Sequence, residues 1–264
     1  MFCAPSLRIA VSALLTAMLC LGSAAVPSAT RRGDTQADPT DPIDQAIRAI
    51  YNQEFAGAGK IVDAHLTANP SDALGYAARA ATLLVAEYDR LQVLELDFFG
   101  NDDTLTDKRR LKPDPAARVQ IMAAVADARR LADAVLRKSA TDRRALFAMT
   151  MVVGAEMQYA AIIEKRYIRG GSLTIEAQAL SDRALALDPP IYDAYATVGS
   201  VEYIVASLNP FYRLVARLIG LHGSKALAVE HLQIVMAKGR YYRPFAKMLL
   251  SALHLREGQL KQAR

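Results

Sequence analysis

Arg183–Tyr203, with the sequence RALALDPPIYDAYATVGSVEY, is the stretch that decides the fold. It predicts the end of one helix, a turn that contains Pro189, and a second helix that packs back on the first, since proline is common just beyond a helix C-terminus. Ala184 supplies a small side chain where two helices approach closely, and Gly199 is the small residue that lets a partner helix come near. The stretch therefore predicts two packed helices joined by a short turn.

Composition extends this prediction to the whole chain. Of the 264 residues, 52% are hydrophobic and 22% are charged, which is typical of an ordered globular protein. Alanine and leucine are abundant and β-branched clusters are few, so we expect an all-α fold. The net charge of +5 is mildly basic and does not by itself indicate nucleic acid or anionic lipid as a partner.

Residues 1–25 have the pattern of a secretory signal peptide. Arg8 precedes an apolar run that starts at Ile9, and Ser23-Ala24-Ala25 is a suitable cleavage site. Both cysteines of the chain fall in this segment, so the mature chain would have no disulfide, thiolate nucleophile or cysteine-based zinc site. We therefore predict an exported, periplasmic protein. Two alternatives stay open, namely an uncleaved membrane anchor and a lipoprotein modified at Cys20.

Residues 26–41 predict a flexible linker, because they are rich in polar residues, Gly and Pro. Residues 42–264 predict a domain of helix pairs, in which Asp41 caps the first helix and Pro42 opens it. A second helix is predicted from Phe55 to Asn69, and a third is capped at Ser71 or Asp72 and runs to about Leu96. After an inserted loop at Phe98–Asp114, a fourth helix runs from Pro115 to Lys138, and a central fifth helix runs from Thr141 to Gly170-Gly171, with its partner helix at Leu173–Leu187. A second inserted segment lies at Asn209–Leu221, and a final pair begins at Arg243, with its second helix starting near Arg256.

Landmarks around the deciding stretch resemble those of tetratricopeptide repeats (TPRs), whose helix pairs recur about every 34 residues. The matching residues are Ala177, Ala184, Pro189, Tyr195 and Gly199. The resemblance implies a TPR-like right-handed helical solenoid of antiparallel pairs, with four to five degenerate repeats and inserted segments. The order of pieces also resembles exported bacterial TPR-like proteins of unassigned function. Fainter likenesses are to the eukaryotic inclusion-body-clearance TPR-like family, through Leu208–Leu232, and to the periplasmic TPR-like subunit of some tripartite solute transporters.

Motifs of known enzymes are missing from the sequence. It contains no phosphate loop, no G-x-S-x-G, no H-E-x-x-H and no acidic calcium loop. The four histidines are scattered, so we predict no catalytic residue, no cofactor and no metal site. The basic run Lys108–Lys112 follows three aspartates and lacks interleaved aromatics, which favours a solvated loop and no nucleic acid partner.

Several polar and aromatic residues on predicted helices are candidates for partner or ligand binding. Glu156 interrupts an apolar helix, so it either lines a ligand cavity or pairs with an arginine such as Arg79. Glu202 and Tyr203 lie on the first helix of a pair, which lines the concave face in the resembling family. The remaining candidates on these helices are Tyr76, Arg79, Tyr159 and Tyr195, and Phe211, Arg213 and Arg217 of the inserted segment are further candidates.

Phe211–Leu221 is the most distinctive inserted segment. Phe211, Leu214, Val215, Leu218 and Ile219 form one apolar face, and Arg213 and Arg217 lie on a polar one. This pattern is typical of a short basic amphipathic helix. Three roles stay open for it: an extra helix packed over the groove of the solenoid, a docking site for a partner, or peripheral contact with a membrane.

The functional prediction is a non-catalytic exported scaffold that binds a protein or peptide partner on the concave face of the solenoid. The alternative is a periplasmic solute-binding or transporter-accessory module, which holds a small molecule in a cavity near Glu156, Tyr159 and Tyr195. A large buried cavity with a charged lining would favour this alternative, and a filled core would exclude it.

Signal-peptide cleavage is directly testable. We expect the protein recovered from the periplasm to begin at Val26, because Ser23-Ala24-Ala25 has the small residues that signal peptidase requires. Mass spectrometry of the intact protein gives the N-terminus. An unprocessed Met1, or a lipid-modified chain starting at Cys20, would contradict the prediction.

Overall fold

The structure, a computed structural model, describes residues 38–93, 111–208 and 210–256. Over these residues the chain forms ten α-helices and no strand, so the all-α prediction is confirmed. The predicted signal peptide, most of the linker, most of the Phe98–Asp114 loop and the last predicted helix lie outside the described residues. The helices are α1 (Pro42–Tyr51), α2 (Phe55–Ala68), α3 (Ala73–Arg90), α4 (Pro115–Leu136), α5 (Arg143–Gln158), α6 (Tyr167–Leu185), α7 (Tyr195–Ser207), α8 (Pro210–Leu218), α9 (Lys225–Lys238) and α10 (Arg243–Arg256).

Local capping chemistry starts the helices where the sequence predicts. The Asp41 carboxylate accepts the N–H of Ile43, and Pro42 occupies the first helical position. Asp114 and Pro115 repeat this arrangement in α4. Asp72, rather than Ser71, caps α3, and its carboxylate accepts the backbone N–H groups of Leu74 and Gly75.

The helices pack on their sequence neighbours. α1 contacts α2, α3 contacts α4, α5 contacts α6, and α7 contacts α9, with α8 inserted between the last two. Short turns join α1 to α2 and α2 to α3, so these neighbours run in opposite directions. α1 also packs on α3, and α3 packs on α5. The first helices of successive pairs therefore lie side by side.

The deciding stretch forms the predicted junction. α6 ends at Leu185, and a turn through Pro189 leads to a 3₁₀ segment, Tyr192–Ala194, and then to α7. Ala184 is fully buried. A Cβ on Gly199 would lie 3.0 Å from the carbonyl oxygen of Ala228 on α9, so the small residue permits the close approach of α7 and α9. The prediction for Gly199 is therefore confirmed, with α9 as the partner helix.

Two predicted boundaries are wrong. α3 ends at Arg90 and not near Leu96, and a left-handed Gln92 follows in the turn. Gly170-Gly171 lies inside α6 and does not end the preceding helix. The break comes earlier, at the left-handed Lys165, after five residues of π-helix. Gly170 is needed for packing, because a Cβ there would lie 3.0 Å from the Ala161 side chain.

α5 is the central helix, as its apolar circumference predicts. The 21 residues Arg143–Ile163 are apolar enough to cross a membrane, but 72% of the apolar window is buried inside the protein. Leu146, Val152 and Val153 are fully buried. The apolar composition of this helix is therefore accounted for by the core, which it shares with α3, α4 and α6.

A buried carboxylate organises the turn between α9 and α10. Asp193 is 4% exposed, and its side chain accepts the backbone N–H groups of Arg240, Tyr241 and Tyr242 at 2.7–2.8 Å. Burial raises the pKa of the Asp193 carboxyl, while the three N–H donors act in the opposite direction. The junction after α6 thus fixes the turn before α10.

The same turn reaches back to the first helix. The Arg240 guanidinium contacts Asp41 at 2.6 Å and Asp44 at 2.7 Å, and the Asp44 side chain is only 2% exposed. The Tyr241 ring stacks on Phe147 of α5 with 4.8 Å between the centroids. We call residues 239–242, held in this way, the closing turn. It ties the C-terminal helices to α1 and α5 across about 200 residues of sequence.

Removal of the Asp193 carboxylate tests the importance of the closing turn. We expect Asp193→Ala to lower the free energy of unfolding by about 3 kcal/mol, because three backbone donors lose their acceptor. Urea unfolding followed by circular dichroism measures the change. Asp182→Ala, an exposed carboxylate on α6, is the control and should cost less than about 0.5 kcal/mol. Equal effects would contradict this role.

Candidate functional site

Tyr76 and Arg79 lie together in an open groove of about 410 Å³. α3 forms its floor, and α2 and α4 form its two sides. The Arg79 guanidinium lies 5.6 Å from the centroid of the Tyr76 ring and pairs with Asp63 on α2. The lining residues are Gly59, Val62, Asp63, Tyr76, Arg79, Thr82, Leu83, Gln120, Ala123, Ala124 and Asp127. We call this the α3 groove.

Small residues on the two flanking helices leave the space. Gly59 on α2 has open space where a Cβ would project, and Ala123 on α4 is exposed. Polar groups mark the sides, with Asp63 on α2 and the exposed Gln120 on α4. The groove therefore combines an aromatic ring, a cation and hydrogen-bonding groups with the apolar side chains of Val62 and Leu83. Its volume falls within the range of about 300–1,000 Å³ that is usual for ligand sites.

The Arg79–Asp63 pair is suited to exchange with a ligand. The Asp63 side chain is 65% exposed and that of Arg79 is 34% exposed. Solvated pairs of this kind contribute about 0–1 kcal/mol to stability. A ligand carboxylate or carbonyl can therefore replace Asp63 on the guanidinium at little cost to the fold.

Glu156 is engaged in an ion-pair network and does not meet Arg79. Its carboxylate contacts Arg129 of α4 at 2.8 Å and Arg169 of α6 at 2.5 Å, and Arg129 also pairs with Glu176 of α6 at 2.6 Å. The interpretation that Glu156 pairs with an arginine is confirmed, but the suggested partner Arg79 is wrong. The network joins the three helices α4, α5 and α6.

The three residues of the predicted solute cavity are not brought together. Tyr159 is 1% exposed and belongs to the core built by α1–α6. Burial is the main cause that raises the pKa of Tyr159 to about 12. Tyr195 packs with the α7, α9 and α10 cluster, where it stacks on His231 at 4.8 Å. Tyr159 and Tyr195 thus belong to separate clusters of buried side chains in the described part of the chain.

Glu202 and Tyr203 are held within the α7–α9 pair. The Glu202 carboxylate lies 2.8 Å from Nδ1 of His231 and is 14% exposed. Burial raises the pKa of this carboxyl, and the contact with His231 opposes the rise. Tyr203 is 3% exposed in the core, with the Lys225 ammonium 5.7 Å from its ring centroid. Both residues stabilise the helix pair in this structure.

α8 presents its apolar face to solvent. Phe211 is 67% exposed and Leu218 is 79% exposed, and the other residues of the predicted apolar face are also exposed. Only Ala216 of α8 is buried, against Val201 and Val205 of α7. The interpretation that this helix packs its apolar face over a groove of the protein is therefore wrong. The basic amphipathic helix itself is confirmed.

The polar side of α8 attaches it to the protein. Arg213 donates to the carbonyl oxygens of Ala206 and Leu208, both at 2.9 Å, and so caps the C-terminus of α7. Arg217 is exposed. Arg213 has a structural role, whereas Arg217 and the apolar face are accessible to a partner.

Sequence reasoning missed residues that only the packing brings together. Asp63, Gln120 and Asp127 line the α3 groove from two helices that lie far apart in sequence, and no local pattern marks them. Asp193 lies in the deciding stretch, but no local pattern indicates that its carboxylate fixes the closing turn. Among the described residues, no group of three or more His, Cys, Asp or Glu side chains is placed to hold a metal ion.

The structural role of Glu156 is testable. Glu156→Ala should lower the free energy of unfolding by about 1–3 kcal/mol, since two arginines lose a partly buried partner. Glu176→Ala removes a more exposed carboxylate from the same Arg129 and should cost less than about 1 kcal/mol. Chemical denaturation of both variants gives the comparison. Equal losses, or an unchanged Glu156→Ala, would contradict a structural role.

Comparisons with known proteins give no family assignment. No family model matches the chain, and no curated protein or solved structure matches it significantly. The features of the described residues that bear on function are the α3 groove, the Glu156 network and the exposed face of α8.

Proposed function

We propose that this protein is a non-catalytic scaffold that holds a peptide segment of a partner protein in the α3 groove. The proposal includes a TPR-like solenoid as the architecture. It is supported by the succession of helix pairs, by the side-by-side packing of α1, α3 and α5, and by the landmarks of the deciding stretch.

The observation that carries the proposal is that Tyr76 and Arg79, one turn apart on α3, both line the groove. Both were predicted as binding residues, and they meet at a site with free volume. Of the other predicted polar residues, Glu156 is paired and Tyr203 is buried within the fold, whereas Arg217 lies on the separate surface of α8. The groove is therefore the best-supported site for a ligand among the described residues.

The proposed site differs in position from the concave-face site of the resembling family. The closing turn covers part of α1 and α5, the first helices of two pairs. The α3 groove lies between the second helices α2 and α4, so it stays accessible in the presence of that turn. A preformed groove loses little conformational entropy on binding, which favours affinity.

The chemistry of the groove favours a peptide. An apolar side chain can pack on the Tyr76 ring above the small residues of α2 and α4. A carboxylate or backbone carbonyl can accept from Arg79, and the Gln120 amide can bond a peptide group. In the exported protein that we propose, the partner would be another periplasmic protein.

A capture experiment from periplasmic extract tests the proposed function. We expect the wild-type protein to retain a partner and Ala123→Arg to lose it by at least about tenfold, because the arginine fills the groove. Ala123 is exposed and arginine is a good helix former, so the fold should be unaffected.

The matched control is Val119→Arg on the same helix. Val119 is 65% exposed and does not line the groove, so this variant introduces the same charge one turn away. It should capture the partner as the wild type does. Equal capture by Ala123→Arg and wild type would place the partner elsewhere, and no captured protein from any variant would contradict the scaffold function.

A further inference from the structure

The exposed apolar face of α8 is a second surface, separate from the α3 groove. Its five large apolar side chains point away from the protein, while Ala216 on the opposite side packs on α7. Water-soluble proteins rarely leave a contiguous apolar surface without a partner. Because the apolar face of α8 points to solvent, we expect it to bind a partner.

This orientation is fixed by the structure. Arg213 holds the start of the helix through two carbonyl oxygens of the α7 terminus. After α8, the chain returns through Gly223, which lies so close to α7 that a Cβ would be 2.2 Å from the backbone nitrogen of Ala206. Leu221 packs on the same α7 residues as Ala216. The apolar face is thus held outward at both ends of the segment.

The charged side chains of the segment that contains α8 are of one sign. The sequence has no acidic residue between Glu202 and Glu230, whereas it has Arg213, Arg217 and Lys225 there. A second copy of the chain, pairing α8 with α8, would bring the arginines of both helices together and would be opposed by repulsion. The partner of α8 must provide an apolar region that the exposed side chains can enter and negative charge next to it.

We infer that α8 binds the surface of an anionic membrane, with its apolar face in the acyl region and its cations at the headgroups. A helix with Phe and Leu on one face and arginine on the other is the usual form of an interfacial helix. Tyr212 is 38% exposed and adjoins the apolar face, in keeping with the preference of tyrosine for the boundary between headgroups and acyl chains. Arg217 can extend its charge to the phosphates, as long basic side chains do.

A single tryptophan reports on this contact, since the chain contains none. Leu218→Trp places the probe on the apolar face of α8 in the full chain. Vesicles of phosphatidylglycerol mixed with phosphatidylcholine should shift its emission to shorter wavelength, and brominated acyl chains should quench it. The apolar N-terminal segment does not confound this signal, because the probe responds to its own surroundings.

Ile168→Trp is the matched control, because Ile168 on α6 is 94% exposed and distant in sequence from α8. Its emission should not change with vesicles. Adding Arg217→Gln to the α8 reporter should lower its affinity for the vesicles, measured by lipid titration, about fivefold, the effect of one cation near an anionic surface. Circular dichroism checks that every variant is folded.

Four outcomes would overturn the inference. They are no shift of the α8 reporter with anionic vesicles, an equal shift of the α6 control, a shift without vesicles that grows with protein concentration, and emission that is already at short wavelength in dilute protein. The third would mean self-association, and the fourth would mean that another part of the chain covers α8. A shift with soluble periplasmic protein but not with vesicles would assign α8 to a protein partner and would also overturn it.

Discussion

The acceptance of three backbone N–H groups by the Asp193 carboxylate is the interaction on which the arrangement of the helices depends. It fixes the closing turn, and Arg240 in that turn then binds Asp41 and Asp44 of the first helix. In an ordinary helical repeat each unit contacts only its neighbours. Here the last helices are connected to the first, so the positions of the helices between them are constrained from both ends.

The two proposed binding surfaces differ in what they present to a partner. In the α3 groove, small residues on α2 and α4 leave a recess, and the ion pair across it is exposed enough to exchange with a ligand. At α8, the apolar side chains face outward because Arg213 and Ala216 attach the opposite side to α7. The first surface offers shape and hydrogen bonds to a peptide, and the second offers apolar area and positive charge to a membrane.

The sequence predicted the features that depend on residues close in the chain. Asp41 with Pro42 and Asp114 with Pro115 specify helix starts through local hydrogen bonds, and Gly199 marks a close helix contact.

Features that depend on packing between distant segments were missed. Gly170-Gly171 predicts a helix end, but the pair lies inside α6, where Ala161 packs closely against Gly170. The partners of Glu156 and the Arg240–Asp44 pair come from distant segments without local signals. In the candidate site, Tyr76 and Arg79 were predictable as residues, whereas the groove around them was not.

Native-state hydrogen exchange at the backbone amides of Arg240, Tyr241 and Tyr242 tests the central claim most directly. If the closing turn holds the helices together, these amides exchange only when the protein unfolds globally, with the same opening free energy as the amides of α1 and α5. Fast exchange of the three amides while α1 and α5 stay protected would show that the turn opens independently. That result would contradict the account of a fold constrained from both ends.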